Sequence, residues 1–155
     1  MEVKFRTAYR ADIMAVAADM RDIDRKELAL AGGNEPLEAL KQSFENSEYC
    51  RCIELDGRPV ALFGVRRPFL LSRKGLIWLL GTKDLVRMKK SFVENSMKYV
   101  NEGFKYADSL ENYVWIENKL SIRWLKWCGF KFDEPRPYGL KNALFLHFYK
   151  ERENV

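Results

Sequence analysis

The chain has 155 residues, 47% hydrophobic and 14% aromatic, which excludes an intrinsically disordered chain and predicts a single packed domain over residues 1–155. Its net charge of +5 is compatible with binding phosphates or nucleic acid, but a surface of mixed charges is the favoured explanation. Three cysteines make no disulfide framework, and one histidine makes no histidine-based metal site. No apolar run approaches the ~20 residues of a membrane helix and no signal-peptide core is present, so we expect a cytosolic protein.

Hydrophobic periodicity in the first half of the chain predicts a strand, three helices and a β-hairpin. In chain order these elements cover residues 3–6, 11–20, 25–31, 35–44, 49–55 and 59–65. Gly32–Gly33 is a plausible helix end, and Asp56–Gly57 is typical of a hairpin turn. In the third helix, Leu37, Leu40 and Phe44 are expected to face inward.

The second half begins with a continuous apolar run, Leu76–Leu80, which predicts a central strand covered on both faces. Thr82 is a good cap for a long helix over residues 83–103 whose buried stripe includes Met97. Further strands are expected at 113–116, 130–132 and 143–149, with a helix over 118–128. The Pro- and Gly-containing segment Pro135–Gly139 predicts a turn. The order of elements favours an α+β fold, a mixed sheet with helices on both faces.

The strongest local motif follows the strand Tyr113–Ile116. It consists of Asn118, Ser121 and then Gly129–Phe130, in which Asn118 can cap a helix and Gly129 can adopt a positive φ at its end. This spacing is similar to that of the GNAT N-acetyltransferase superfamily, which implies a mixed, mostly antiparallel sheet.

A closer resemblance is to the internal virion protein A (internal core protein A) family of short-tailed bacteriophages, a GNAT-like group. It rests on Asn112–Trp115, Asn118, Ser121–Lys126 and Gly129, and it extends over roughly residues 78–132. The resemblance implies a phage origin, a viral protein made in the cytoplasm of the bacterial host and a place in the virion.

The GNAT resemblance also implies an acetyl-CoA site in a crevice between the strand at Trp78 and the strand at Tyr113. The cofactor-binding residues that it implies are Trp78, Leu79, Leu80, Gly81, Thr82, Lys83, Asn118, Ser121 and Leu125. GNAT enzymes hold the CoA pyrophosphate on backbone N–H groups of a glycine-containing turn before the long helix.

Two departures from the GNAT pattern weaken the prediction of an active enzyme. The segment Gly81–Arg87 has a single glycine and places Asp84 in the first helical turn, where a carboxylate caps the helix itself and repels phosphate. The positive charges of Lys83 and Arg87 compensate only in part for the repulsion between Asp84 and a phosphate. In many GNAT enzymes, a tyrosine at the position of Leu125 protonates the departing thiolate. Leucine cannot donate a proton.

No catalytic residue can be assigned. Glu117 and Glu54 are candidates for a general base, but each is more typical of a surface carboxylate, and His147 is more typical of a packed residue. The basic loop 66–74 has an apolar centre suited to a partner contact. No nucleic-acid-binding motif is present.

Two functions remain open. One is an acetyl-CoA-dependent N-acetyltransferase acting on an amine of a protein or small molecule. The other, which we favour, is a phage protein with a degenerate acyl-CoA site that acts in virion assembly through phage structural or host proteins. A third and weaker hypothesis is a binder of a small ligand or host protein in the same crevice.

Overall fold

A computed structural model describes residues 1–153. Five α-helices, one 3₁₀-helix and eight strands follow one another in this part of the chain. They are β1 (Val3–Thr7), α1 (Arg10–Ala18), α2 (Asp22–Ala31), α3 (Pro36–Asn46), β2 (Ser47–Leu55), β3 (Arg58–Arg66), β4 (Lys74–Gly81), the 3₁₀-helix (Lys83–Met88), α4 (Lys89–Gly103), β5 (Ser109–Trp115), α5 (Lys119–Trp127), β6 (Lys131–Phe132), β7 (Arg136–Tyr138) and β8 (Ala143–Glu151). None of the helices in the described chain has the length and hydropathy needed to cross a membrane.

The eight strands form one mixed sheet in the order β1-β2-β3-β4-β5-β8-β6, with β7 also paired to β8. All pairings are antiparallel except that of β4 with β5. That parallel pairing is short, running from Lys74 opposite Ser109 to Leu76 opposite Glu111. Beyond Leu76, β4 stays paired with β3 and β5 stays paired with β8, so the two strands separate and open a cleft in the middle of the sheet.

Helices cover both faces of this sheet, which confirms the predicted α+β class. On one face, Val16 of α1 and Leu40 of α3 pack with Leu62 of β3. On the other, Val100 of α4 and Leu125 of α5 pack in a cluster with neighbouring strands. Strand β3 contributes residues to the clusters on both faces, because successive residues of a strand point to opposite faces of the sheet.

The region after β4 differs from the predicted single helix over residues 83–103. Residues Lys83–Met88 form a 3₁₀-helix, and the α-helix begins only at Lys89. The reason is local: the backbone N–H of Leu85 donates to the carbonyl of Thr82 three residues before it, which tightens this turn.

Two residues predicted to face the core are exposed, Met97 of α4 at 37% and Leu37 of α3 at 36%. Both predictions were wrong because the buried face of each helix is narrower than the apolar stripe in its sequence. The apolar strand β4 is mainly half-buried rather than covered on both faces, since one edge of it borders the cleft.

The segment Pro135–Gly139 contains a strand that the sequence analysis missed. Arg136–Tyr138 pairs with β8, and Gly139 then turns the chain with a φ of +80°. Proline is tolerated here because β7 is a short edge strand, where a missing N–H costs little.

Candidate functional site

The cleft between β4 and β5 encloses a cavity of about 360 Å³. Six of the residues predicted to bind a cofactor line it: Trp78, Leu79, Leu80, Asn118, Ser121 and Leu125. The three others, Gly81, Thr82 and Lys83, follow at the end of β4 and lie outside this lining.

Asn118 organises the α5 side of the cleft. Its Oδ1 accepts from the backbone N–H of Ser121 at 3.4 Å, which caps α5, and its side chain is almost fully buried. At the other end of the helix, Gly129 has a φ of +88° and Phe130 enters the core. These conformations are the ones expected from the Asn–Ser–Gly–Phe motif.

The apex of the cleft, where the strands part, is bridged by a side chain. Asn112 of β5 donates its Nδ2 to the carbonyl of Ile77 of β4 at 2.9 Å. This bond joins β4 to β5 just beyond their last paired residues, Leu76 and Glu111, where the two strands begin to separate.

Glu27 of α2 extends into the middle of the cleft. Its Oε1 accepts from the backbone N–H of Trp115 at 2.9 Å, and its Oε2 accepts from Nδ2 of Asn118 at 2.8 Å. Burial raises the pKa of the Glu27 carboxyl to about 7, and the two hydrogen bonds oppose that rise. The negative charge of Asp24 adds to the rise, whereas the positive charge of Arg21 reduces it.

Asp24, one turn earlier on α2, binds the end of β4. Its Oδ2 accepts from the backbone N–H of Gly81 at 3.0 Å. The same carboxylate forms a bidentate ion pair with Arg21 at 3.0 and 2.8 Å, in which the two side chains are only 3% and 9% exposed. A buried, paired carboxylate therefore occupies the amide of Gly81, the first residue of the segment that joins β4 to the 3₁₀-helix.

The next amides of this turn are also hydrogen-bonded within the protein. The backbone N–H of Thr82 donates to the carbonyl of Val60 at 2.7 Å, and that of Lys83 donates to the carbonyl of Asp19 at 3.3 Å. The amide of Asp84 donates to Oγ1 of Thr82 at 3.3 Å. A pyrophosphate would have to displace these partners before it could use the amides.

The charges around the turn also oppose phosphate binding. Asp84 lies 3.3 Å from Arg87 and 3.5 Å from Arg58, and Lys83 lies 3.9 Å from Asp19. Arg58, Lys83 and Arg87 are thus already paired, and the Asp84 carboxylate remains at the start of the 3₁₀-helix. The amides and charges of Gly81–Asp84 therefore do not fit the pyrophosphate of CoA.

Leu125 reaches the cavity lining from the core, where it is 4% exposed. The other candidates from the sequence lie outside that lining. Glu54 pairs with Arg6 at 2.6 Å, and Glu117 is exposed outside the cavity lining. His147 lies on β8 between two carboxylates, with Nδ1 2.8 Å from Asp133 and Nε2 3.3 Å from Glu111.

Two acidic residues of α2 line the cleft but were not predicted from the sequence. Asp24 and Glu27 are three residues apart, so they lie on one face of the helix among residues that pack inward. Carboxylates on the inner face of a short helix are the signal that was available. Their partners, amides of Gly81 and Trp115, are far along the chain and leave no sequence pattern.

Solved structures that resemble this chain are acetyltransferases. They include one of the GNAT family from Streptococcus pneumoniae, with a TM-score of 0.67 and 13% identity over 98% of this chain and 100% of that chain. Spermidine N-acetyltransferase from Vibrio cholerae, in complex with CoA and spermine, has a TM-score of 0.66 and 13% identity over 96% and 95%. Ribosomal-protein-alanine N-acetyltransferase from Brucella melitensis has a TM-score of 0.71 and 20% identity over 96% and 99%. The chain therefore has the GNAT acetyltransferase fold.

A relative by sequence is the "Probable scaffold protein gp13" of Escherichia phage T7. The two proteins are 33% identical over 109 residues, which are 68% of this chain and 70% of the relative. No protein-family model matches the chain. This chain belongs to the same family as the T7 protein.

Proposed function

We propose that this chain is a phage assembly protein that uses the GNAT fold as a scaffold and does not use acyl-CoA. The observation that carries the proposal is the turn after β4, whose amides from Gly81 to Asp84 bond to groups of the protein itself. GNAT enzymes hold the cofactor pyrophosphate on free backbone N–H groups of the turn before the long helix. Here Asp24, paired with Arg21, already takes the amide of Gly81.

A role in assembly is supported by the family relationship with a protein described as a probable scaffold protein. On this proposal the partners are phage structural or host proteins, and the protein acts in the host cytoplasm, where particles are built, and in the virion. The proposal also treats residues 1–155 as one functional domain.

Calorimetric titration with acetyl-CoA tests the loss of the cofactor site. We expect no saturable heat up to about 1 mM, a concentration that would reveal even weak binding. An Asn118→Ala variant, checked for folding by circular dichroism, serves as the control for any heat that appears. Micromolar binding by the wild type that is lost in this variant would contradict the proposal.

Sedimentation tests the role in assembly. The tagged chain is expressed in Escherichia coli during infection by phage T7, and particle intermediates are separated on a sucrose gradient. We expect the chain to sediment with assembling particles, as a protein with structural partners should. Recovery only at the top of the gradient, together with soluble proteins, would contradict an assembly role in that system.

The second candidate is an acetyl-CoA-dependent N-acetyltransferase, and one observation favours it. Glu27 is a cleft carboxyl with a pKa of about 7, which is suited to accept a proton from an attacking amine. This function requires α2 to release its bonds to the sheet so that cofactor and amine can enter. Thiol release from acetyl-CoA in the presence of spermidine or a peptide amine, lost in Glu27→Gln, would support it.

A further inference from the structure

A second groove lies outside the cleft, where Phe92 of α4 and Trp124 of α5 meet with ring centroids 4.9 Å apart. Its apolar lining comes from the 3₁₀-helix and α4 on one side and from α5 on the other. The main apolar residues are Val86, Phe92, Val93, Leu120, Trp124 and Trp127. On α5 they recur at spacings of three and four residues, so they form one stripe along the helix.

The groove is open to solvent on both sides, at the 3₁₀-helix and at α5. Trp127 is 63% exposed and Val86 is 56% exposed. A large exposed tryptophan at the rim of an apolar groove is typical of protein contacts, where tryptophan is a frequent energetic anchor.

The charged residues of the groove are all basic. Arg21, Lys89 and Arg123 line it, and no acidic residue does. Arg21 is neutralised by Asp24, whereas Lys89 and Arg123 are exposed and have no carboxylate within 4.0 Å in residues 1–153. The groove therefore complements an apolar partner that carries negative charge.

The dimensions favour a protein segment over a small cofactor. The groove encloses about 210 Å³, below the roughly 300–1,000 Å³ of typical small-molecule sites. It is suited to one or two anchoring side chains, and its position between two helices matches the way in which a helix lies in a groove. The adjacent turn at Gly81–Asp84, with its amides already bonded, offers nothing to a phosphate group.

We propose that the groove between α4 and α5 docks an apolar helical segment of a partner protein whose flanking residues are acidic. This inference rests on the proposed function, because it takes the chain to be an assembly protein with protein partners. It gives the assembly protein a defined contact site, in which Trp127 is the anchor and Lys89 and Arg123 select the charge of the partner.

The test uses synthetic peptides of ~16 residues, long enough for marginal helicity. Each carries a fluorophore and a Leu/Phe stripe at helical spacing; one has Glu flanks and the other has Lys flanks. Anisotropy titrations are run on the wild type, Trp127→Ala, and the charge-reversed variant Lys89→Glu/Arg123→Glu. We expect saturable binding of the Glu-flanked peptide, weakened about tenfold or more by either change, and a switch of the charge-reversed variant to the Lys-flanked peptide.

The matched control is Lys41→Glu/Lys105→Glu, which changes the net charge equally at exposed positions outside the groove. It should leave the affinity for the Glu-flanked peptide unchanged. Equal weakening by this control, or no saturable binding of the Glu-flanked peptide at about 1 mM, overturns the docking proposal. If acetyl-CoA also fails to bind, the proposed loss of cofactor use still stands. Displacement of the peptide by micromolar acetyl-CoA overturns both.

Discussion

The two sides of the central cleft differ in how closely they keep the GNAT pattern. On the α5 side, Asn118, Gly129 and Phe130 occupy the positions and conformations that the motif predicts. At the end of β4, the 3₁₀-helix Lys83–Met88 follows at once, and the amides of Gly81–Asp84 bond to the protein itself. The α5 residues support the core whether or not a ligand binds, whereas an open phosphate turn is useful only to a protein that binds phosphate.

Helix α2 connects these two sides. Asp24 accepts the amide of Gly81 at the end of β4, and Glu27 accepts from Trp115 and Asn118 on the opposite side. The same helix thus bonds the end of β4 at one side and reinforces the motif at the other. Substitutions in α2, and in the two caps that flank the cleft, measure how much stability each side draws from these contacts.

The largest effect is expected from Asp24→Ala. The change leaves Arg21 as an unpaired buried cation and the amide of Gly81 without an acceptor. Loss of one partner of a buried ion pair costs about 3–5 kcal/mol. Urea denaturation followed by tryptophan fluorescence measures it, and Asp22→Ala, at an exposed position in the same helical turn, should cost far less. Equal, small losses in both variants would mean that Asp24 does not hold the β4 end closed.

Glu27 is expected to make stability depend on pH. Its pKa is raised from an ordinary value of 4.5 to about 7 by burial, so between these values the folded protein holds a proton that the unfolded chain has released. Stability therefore falls as the pH rises through this window and levels off above it, by about 3 kcal/mol in total.

Urea midpoints of the wild type and Glu27→Gln at pH 5 and pH 8 isolate this effect, because the other titrating groups cancel in the difference. The stability of the variant relative to the wild type should be about 3 kcal/mol higher at pH 8 than at pH 5, because glutamine does not ionise. Parallel pH profiles of the two proteins would show that the Glu27 carboxyl ionises alike in the folded and unfolded states. Ionisation of Glu27 would then contribute nothing to the stability of the α5 side.

The sequence was sufficient for most of the fold, for reasons visible in particular segments. The hairpin at Asp56–Gly57 has positive φ at both residues, as such turns require, and the cap at Asn118 is set by local spacing. The edge strand β7 was missed because its pairing with β8 is decided by tertiary contacts and not by the Pro- and Gly-containing sequence of Arg136–Gly139.

The candidate site was predictable only on its strand and α5 sides. Trp78 and Asn118 line the cleft because their elements follow from periodicity and capping. The contribution of α2 could not be predicted, since Asp24 and Glu27 bond to amides 57 and 88 residues away along the chain. The cap at Thr82 was predicted, although not the 3₁₀ form of the turn. The carboxylate of Asp84, which was expected to cap the helix, pairs with Arg87 and Arg58 instead.

Asn118→Ala is expected to have an intermediate effect. It removes the cap on Ser121 and leaves Oε2 of Glu27 without its donor inside the protein. Such losses cost about 1–3 kcal/mol. Asn101→Ala, at an exposed position of α4, is the matched control and should be near neutral, as judged from urea midpoints. A loss as small as that of the control would mean that the α5 motif does not stabilise the fold.

The smallest effect is expected at the cap on the opposite side. Thr82→Val keeps the shape of the buried side chain but removes the hydroxyl that accepts from Asp84 at 3.3 Å. The cost should be about 1 kcal/mol, while Thr82→Ser, which retains the hydroxyl, should preserve the cap. If the comparison of the two sides is right, Asn118→Ala lowers the stability more than Thr82→Val when both are measured by urea denaturation. The reverse order would place the main stabilising cap at the diverged turn, and the α5 motif would then need another explanation than packing.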